Sequence, residues 1–159
     1  MQAQTVERLA LVCSNIRAVK EAAGNMDQIS ELRSRLESDF YIYSGDDSLT
    51  LPMLSLGAYG VVSVASHIVG NEMQEMIASF VSGNHQEALR RHLELLPAFK
   101  KLFITTNPIP VKTAMNLLGW DIGNCRLPLT APSEEITAEL KALLNTLGKA
   151  CLLYTSRCV

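Results

Sequence analysis

Three short runs of β-forming residues, separated by segments of helical period, constrain this chain more than any other feature. The runs are Ile16-Arg17-Ala18-Val19-Lys20, Phe40-Tyr41-Ile42-Tyr43-Ser44 and Val61-Val62-Ser63-Val64. All are rich in the β-branched, aromatic and apolar side chains that fit a pleated surface. Gln4 to Leu11 reads as the end of an amphipathic helix ahead of the first run. After Gly24, Asn25 suits a helix start, and Ile29, Leu32 and Leu36 then share one face. The carboxylates of Asp46 and Asp47 suit the positive end of a third helix that runs through Leu56. Strands alternating with helices at this spacing pair in parallel, as in an α/β barrel or a doubly wound sheet. A sheet of only three such strands leaves two edges of unpaired backbone groups, so the pattern points to further strands.

Beyond Val64 the period turns helical. Met73, Met76, Ile77, Phe80 and Val81 form a stripe closed by Gly83. Asn84 opens a long helix carrying Leu89, Leu93, Leu96, Phe99 and Phe103, expected to bend where Pro97 removes a backbone donor. Val111, Met115 and Leu118 line a short helix ending near Gly119, and Ile136, Leu140, Leu143, Leu144 and Leu147 line the last, before Gly148. Trp120 to Ala131 is the connection between them.

With 48% hydrophobic and 19% charged residues, the 159-residue chain can bury a core and is no disordered tail. A formal net charge of −2 with scattered Lys and Arg excludes the electrostatic footprint of a nucleic-acid or anionic-membrane binder. No apolar stretch approaches the roughly 20 residues that span a bilayer, and Met1 to Thr5 has no basic-then-apolar pattern. A cytoplasmic location, without export or anchoring, is the expectation. Cys13, Cys125, Cys151 and Cys158 form no CxxC pair and have no His at ligand spacing, which predicts unpaired thiols and no metal.

Several segments are recognisable. Asn15-Ile16-Arg17-Ala18-Val19-Lys20-Glu21-Ala22-Ala23-Gly24-Asn25 resembles the Schiff-base-lysine strand of the dihydrodipicolinate synthase family. Ser44-Gly45-Asp46-Asp47 and Gly57-Ala58-Tyr59-Gly60-Val61-Val62-Ser63-Val64 resemble its next two strand ends. Asn107-Pro108-Ile109-Pro110-Val111-Lys112 and Leu127-Pro128-Leu129 are similar to segments of its helical region. The resemblance runs from about Gln4 to Ala150. It implies the C-terminal part of a (β/α)8 TIM barrel, strands six to eight, followed by a helical region. The implied division is 1–66 for the partial barrel, with Met1 inside the helix before strand six, and 67–150 for the last barrel helix and helical region. The implied active site lies at the C-terminal strand ends.

Through this resemblance Lys20 becomes the residue that forms a Schiff base with pyruvate, with Gly45 and the backbone of Val62 lining the pyruvate pocket. No cofactor is implied, because the lysine itself is the covalent group. The acceptor would be aspartate semialdehyde, in lysine (diaminopimelate) biosynthesis, and the whole protein a homotetramer. Sialic acid lyases and sugar-acid aldolases share the lysine but differ around it. The rival of another class is a non-catalytic helical interaction domain in which Lys20 is a surface residue.

From residue types alone, a lysine that closes a strand is more often a solvated end than a nucleophile. An amine attacks a ketone only when unprotonated, which calls for an apolar pocket. Val62 taken alone reads as barrel core. Asp46 and Asp47 read as helix-capping groups, not an acid/base pair. His67, His85 and His92 form no metal or nucleophile pattern. The family's proton-relay tyrosine, its hydroxyl partners, its carboxylate-binding arginine and its lysine-feedback site fall upstream of the matched segment, so the isolated chain is expected to be inactive or extremely slow. Cys151-Leu152-Leu153-Tyr154-Thr155-Ser156 equals the translation of an adapter sequence used in sequencing libraries, so 151–159 reads as a non-native tail.

Overall fold

The computed structural model describes residues 1–149. The expected tail, 151–159, and with it Cys151 and Cys158, lies outside the described residues. The chain divides into two units, one of Met1–Ser63 with Gln74–His92, the other of Val64–Met73 with Leu93 onward.

The first unit holds α1 (Ala3–Val12), β1 (Ala18–Glu21), α2 (Met26–Arg35), β2 (Tyr41–Ser44), α3 (Thr50–Ser55) and β3 (Gly60–Val61). The strands form one parallel sheet in the order β1-β2-β3. Ala18, Val19, Lys20 and Glu21 lie opposite Tyr41, Ile42, Tyr43 and Ser44. β3 is shorter than the run Val61-Val64 suggests, pairing only Gly60 with Tyr43 and Val61 with Ser44. One further bond, from Val62 N–H to the Ser44 carbonyl at 2.8 Å, follows before the chain leaves the sheet. With β2 ending at Ser44, residues after Val62 have no ladder to join.

Helix starts follow side-chain chemistry. Asn25 accepts the Gln28 N–H at 3.1 Å, and Asp46 accepts the N–H groups of Ser48 and Leu49 above a 3-10 turn at Asp47–Leu49. These bonds satisfy orphan donors that every helix start exposes.

The two faces of the sheet differ. Side chains alternate along a strand, so Val19, Glu21, Ile42 and Ser44 share one face, and Ala18, Lys20, Tyr41 and Tyr43 the other. Beneath the first face Ala3, Val6, Ile29, Leu32, Leu36, Phe40, Ile42 and Met53 form a continuous core, with Val19 packed against it. The second face has no such cover: Ala18, Lys20 and Tyr41 are exposed.

The remaining helices are α4 (Ser66–Val81), α5 (His85–Lys101), α6 (Ile109–Leu117) and α7 (Glu134–Thr146). Met73 and Met76 of α4 are buried as the stripe predicts, Ile77 and Phe80 are half-buried, Val81 at its end is exposed, and the helical path is interrupted at Val69. In α5 the buried seam is Ala88, Leu95, Ala98, Phe99 and Leu102, whereas Leu89 and Leu93 are 50% and 56% exposed. The expected stripe is therefore turned by about one residue, because two alanines carry the packing and a count of large apolar residues overlooks them. α5 runs through Pro97 to Lys101. In the second unit α6 packs on α7, burying Val111, Ala114, Leu140, Leu143 and Leu144. Among the described residues no helix is long and apolar enough to cross a membrane.

Leu32 is fully buried in the core beneath the sheet. Leu32→Ala is expected to cost about 2–5 kcal/mol through lost transfer energy and the cavity left behind, read as a lower urea midpoint. His92, half-buried on α5, has its pKa lowered from 6.5 by desolvation. A depressed histidine is neutral in the fold while the unfolded chain takes up a proton, so its contribution is complete above 6.5 and is lost as pH falls toward the folded value. Stability is expected to fall between about pH 7 and pH 5, and to fall less in His92→Asn, in urea titrations at both pH values.

Candidate functional site

In a parallel sheet every strand ends on the same edge, and here that edge gathers the candidate residues. Lys20 is next to last in β1, Gly45 follows β2 directly, and Val62 follows β3 directly. Adjacent strands lie about 4.8 Å apart, so three consecutive strand ends offer a compact row of groups.

Lys20 stands on the uncovered face, in register with Tyr43 and exposed. The apolar pocket that a nucleophilic amine needs is thus present as one wall only. Tyrosines form part of that wall. The ring of Tyr59 lies 4.6 Å from that of Tyr41 and 5.6 Å from that of Tyr43, centroid to centroid. Tyr43 flanks Gly60, where an added Cβ would meet its ring at 3.7 Å.

Gly45 is held against the lysine. A Cβ built on it would stand 2.6 Å from the Cβ of Ala22 and 2.8 Å from the Cε of Lys20, well inside the 3.5–4.0 Å at which carbon atoms pack. Only the missing side chain lets the end of β2 approach the lysine stem this closely. Val62 is 47% exposed, so its side chain is not core in the described structure. Its N–H is spent on Ser44, so only its carbonyl, which has no backbone partner among the described residues, remains as a backbone group that could meet a ligand.

The neighbouring polar residues are structural. Asp46 takes Ser48 N–H and Ser48 Oγ–H, both at 2.8 Å, while Asp47 is 2% exposed within the 3-10 turn. Asp46 caps the turn, as its position after a strand predicts, whereas Asp47 is a buried member of the turn and not its cap. His67 and His85 are exposed. Cys13 and Cys125 are free thiols, and no group of three metal-ligating side chains occurs among the described residues. A hollow of about 350 Å³ lined by Glu7, Arg17, Arg35, Leu36 and Asp39 lies elsewhere, beside the residues that precede β1 and β2, the opposite end of the strands from Lys20. Two ion pairs cross it, Arg17 with Asp39 at 2.5 Å and Arg35 with Glu7 at 3.2 Å.

Residue patterns alone did not single out Glu21. It follows Lys20 in β1, is 7% exposed, and holds the N–H of Ala23 and the amide of Gln28 with its two carboxylate oxygens. The signal was available in the alternation: if Lys20 faces outward, the next residue must face the helices.

Residues 1–147 match the dihydrodipicolinate synthetase family. A 4-hydroxy-tetrahydrodipicolinate synthase of Thermosynechococcus vestitus is 57% identical over 145 residues, covering 91% of this chain and 49% of the relative. One of Desulforamulus reducens is 57% identical over 143 residues, covering 90% and 48%. Among solved structures, the dihydrodipicolinate synthase of Aquifex aeolicus superposes with a TM-score of 0.91 at 46% identity, covering 94% of this chain and 51% of that one. The enzyme of Cyanidioschyzon merolae with lysine bound gives 0.89 at 49% identity, covering 96% and 51%. The chain spans about half the length of the curated relatives it matches. The likeness makes the three-stranded parallel sheet and its helices part of a TIM-barrel fold.

Gly45→Ala is expected to cost about 1–3 kcal/mol of stability through overpacking against Ala22 and Lys20. Thermal unfolding measures it, and an unchanged midpoint would mean that the strand ends are not in contact.

Proposed function

The chain belongs to the dihydrodipicolinate synthetase family, and from that premise we propose that it supplies the Schiff-base half of a pyruvate-dependent lyase. In this reading the three strands are six to eight of a (β/α)8 barrel, with 1–66 the partial barrel, 67–150 the last barrel helix and helical region, and 151–159 a non-native tail. The uncovered face of the sheet is then the barrel interior, which in a closed barrel is filled by side chains from all the strands.

The observation that carries the proposal is the contact of the Lys20 stem with Gly45 at the C-terminal edge of the sheet, the edge where barrel enzymes hold their catalytic groups. The unprotonated Nζ of Lys20 attacks the ketone carbon of pyruvate, and loss of water gives the protonated imine. Removal of a methyl proton then gives an enamine, whose carbon attacks the aldehyde of aspartate semialdehyde. The carbon–carbon bond forms as the enamine electrons move and the aldehyde oxygen takes a proton; the amino group of the acceptor then adds to the imine carbon, and the bond from that carbon to Nζ breaks, releasing Lys20 as the free amine. Gly45 lets the end of β2 close on the lysine stem, and the backbone of Val62 is proposed to line the pyruvate pocket. The covalent lysine takes the role that a cofactor would otherwise fill. The relatives' names favour aspartate semialdehyde over a sugar-derived acceptor.

Each proton transfer by a positioned side chain contributes about 10²- to 10⁴-fold. The groups that the resemblance assigns to those transfers lie outside the matched half, so this chain alone is proposed to be inactive or very slow. For the whole protein we propose a cytoplasmic homotetramer, an assembly that the exposed Leu89, Leu93 and Phe103 of the helical region favour.

The test is a chimera joining the N-terminal half of the Thermosynechococcus vestitus relative to this chain. Pyruvate and borohydride are expected to trap one adduct, located by mass spectrometry on Lys20, and Lys20→Arg to abolish it. The separate chain is expected to form the adduct at least about 10²-fold more slowly. An adduct on another lysine would overturn the reading.

A further inference from the structure

Glu21 is a carboxylate where the alternation of a half-covered sheet calls for an apolar side chain. Burying it costs free energy unless its oxygens are hydrogen-bonded, and both are. Oε1 accepts the Ala23 N–H at 2.6 Å, and Oε2 accepts Nε2 of Gln28 at 3.1 Å. Both donors are neutral amides, so the carboxylate serves as a double acceptor and not as half of an ion pair. Gln28 stands in the first turn of α2, its own N–H held by Asn25. The main chain of Glu21 adds a third tie, its carbonyl accepting the Gly45 N–H at 2.7 Å. One residue therefore joins the strand that bears Lys20, the loop after it, the start of α2 and the end of β2.

The consequence falls on Ala22. It lies between Glu21 and Ala23, whose N–H the carboxylate holds, so the tether across it sets where its methyl group points. That methyl and the Cε of Lys20 converge on the space where Gly45 lacks a side chain, 2.6 Å and 2.8 Å from the position of a Cβ. Ala22 and Gly45 thus confine the stem of Lys20. Without the tether the loop is free to step back, and the long lysine side chain regains rotamers that its partners deny it.

We propose that Glu21 is a positioning residue for Lys20: its paired acceptor oxygens fix the loop so that Ala22 and Gly45 hold the amine where the ketone is attacked. The proposal rests on the Schiff-base reading of Lys20. Glu21 touches no reacting atom and acts through the loop, so its removal affects the rate of attack more than the affinity for pyruvate. Misplacing a reacting group by about 1 Å costs up to about 10²-fold in rate.

The test uses the same chimera, carrying this whole chain, with Glu21→Ala, Glu21→Gln and Gln28→Ala. It measures the rate of borohydride-trapped adduct on Lys20 at saturating pyruvate, and the pyruvate concentration giving half that rate. Glu21→Ala is expected to slow adduct formation roughly 10- to 100-fold with a much smaller change in half-saturating pyruvate. Glu21→Gln keeps the acceptor for Ala23 N–H and is expected to restore most of the rate, and Gln28→Ala, which loses only the second bond, to fall between. Should Glu21→Ala fail to fold, the latter two carry the test, with a slower Gln28→Ala at unchanged thermal midpoint as the supporting result. Rates within about twofold of the unmutated chimera, a Glu21→Gln as slow as Glu21→Ala, or a rate loss matched by an equal loss of pyruvate saturation would overturn the proposal. An unmutated chimera with no adduct on Lys20 would overturn the Schiff-base reading and this proposal with it. An adduct there that is unaltered in the variants would overturn this proposal alone.

Discussion

Parallel pairing in register is the constraint on which the rest of the first unit depends. Because β1, β2 and β3 run the same way, each crossover must return across one face, and α2 and α3 supply the two connections, with α1 leading into β1. That traffic divides the sheet into a face pressed on Ile29, Leu32, Ile42 and Met53 and a face left open. It also sends three chain turns to one edge, where backbone groups leave the ladder and side chains are free to meet a ligand. The covered face supplies the apolar burial that holds the unit together, and the open face carries Lys20. Burial and the proposed chemistry thus fall on opposite sides of the same four-residue strand.

Much of this was legible in the sequence, for identifiable reasons. β-branched, aromatic and apolar runs marked β1 and β2 because those side chains fit a pleated surface with one face on a core. Asn25 and Asp46 marked helix starts because their side chains are the right length to accept the next free N–H groups. Gly83 and Gly148, at φ of +83° and +66°, marked helix ends because a residue with a Cβ is strained there. The edges of elements were less legible. β3 is short because its partner strand ends, a fact about β2 that its own residues do not carry. The seam of α5 was read one residue out, since Ala88 and Ala98 are buried by close approach and not by size.

The proposed site could be drawn from the sequence as a set of candidates but not as a set of contacts. A family-like segment singled out Lys20, Gly45 and Val62, yet only coordinates bring the glycine at the end of β2 against the lysine of β1, because their separation in sequence reflects an intervening helix. The environment of Lys20 differs from the apolar pocket that a nucleophilic amine needs, because the three described strands build one wall only. Glu21 escaped notice for another reason. An acidic residue beside a lysine on a strand reads as surface charge until the alternation is used to turn it inward.

The tyrosines of the open face have an optical consequence. Tyr41, Tyr43 and Tyr59 are three of the four tyrosines in the sequence and lie within a few ångströms of one another, whereas the sole indole, Trp120, is exposed in the connection between α6 and α7. The chain therefore carries two intrinsic chromophores that report on different things. Indole emission follows the solvation of its own loop. Phenol absorption and near-ultraviolet ellipticity follow the coupled rings beside Lys20, so anything that covers that face becomes visible without a label.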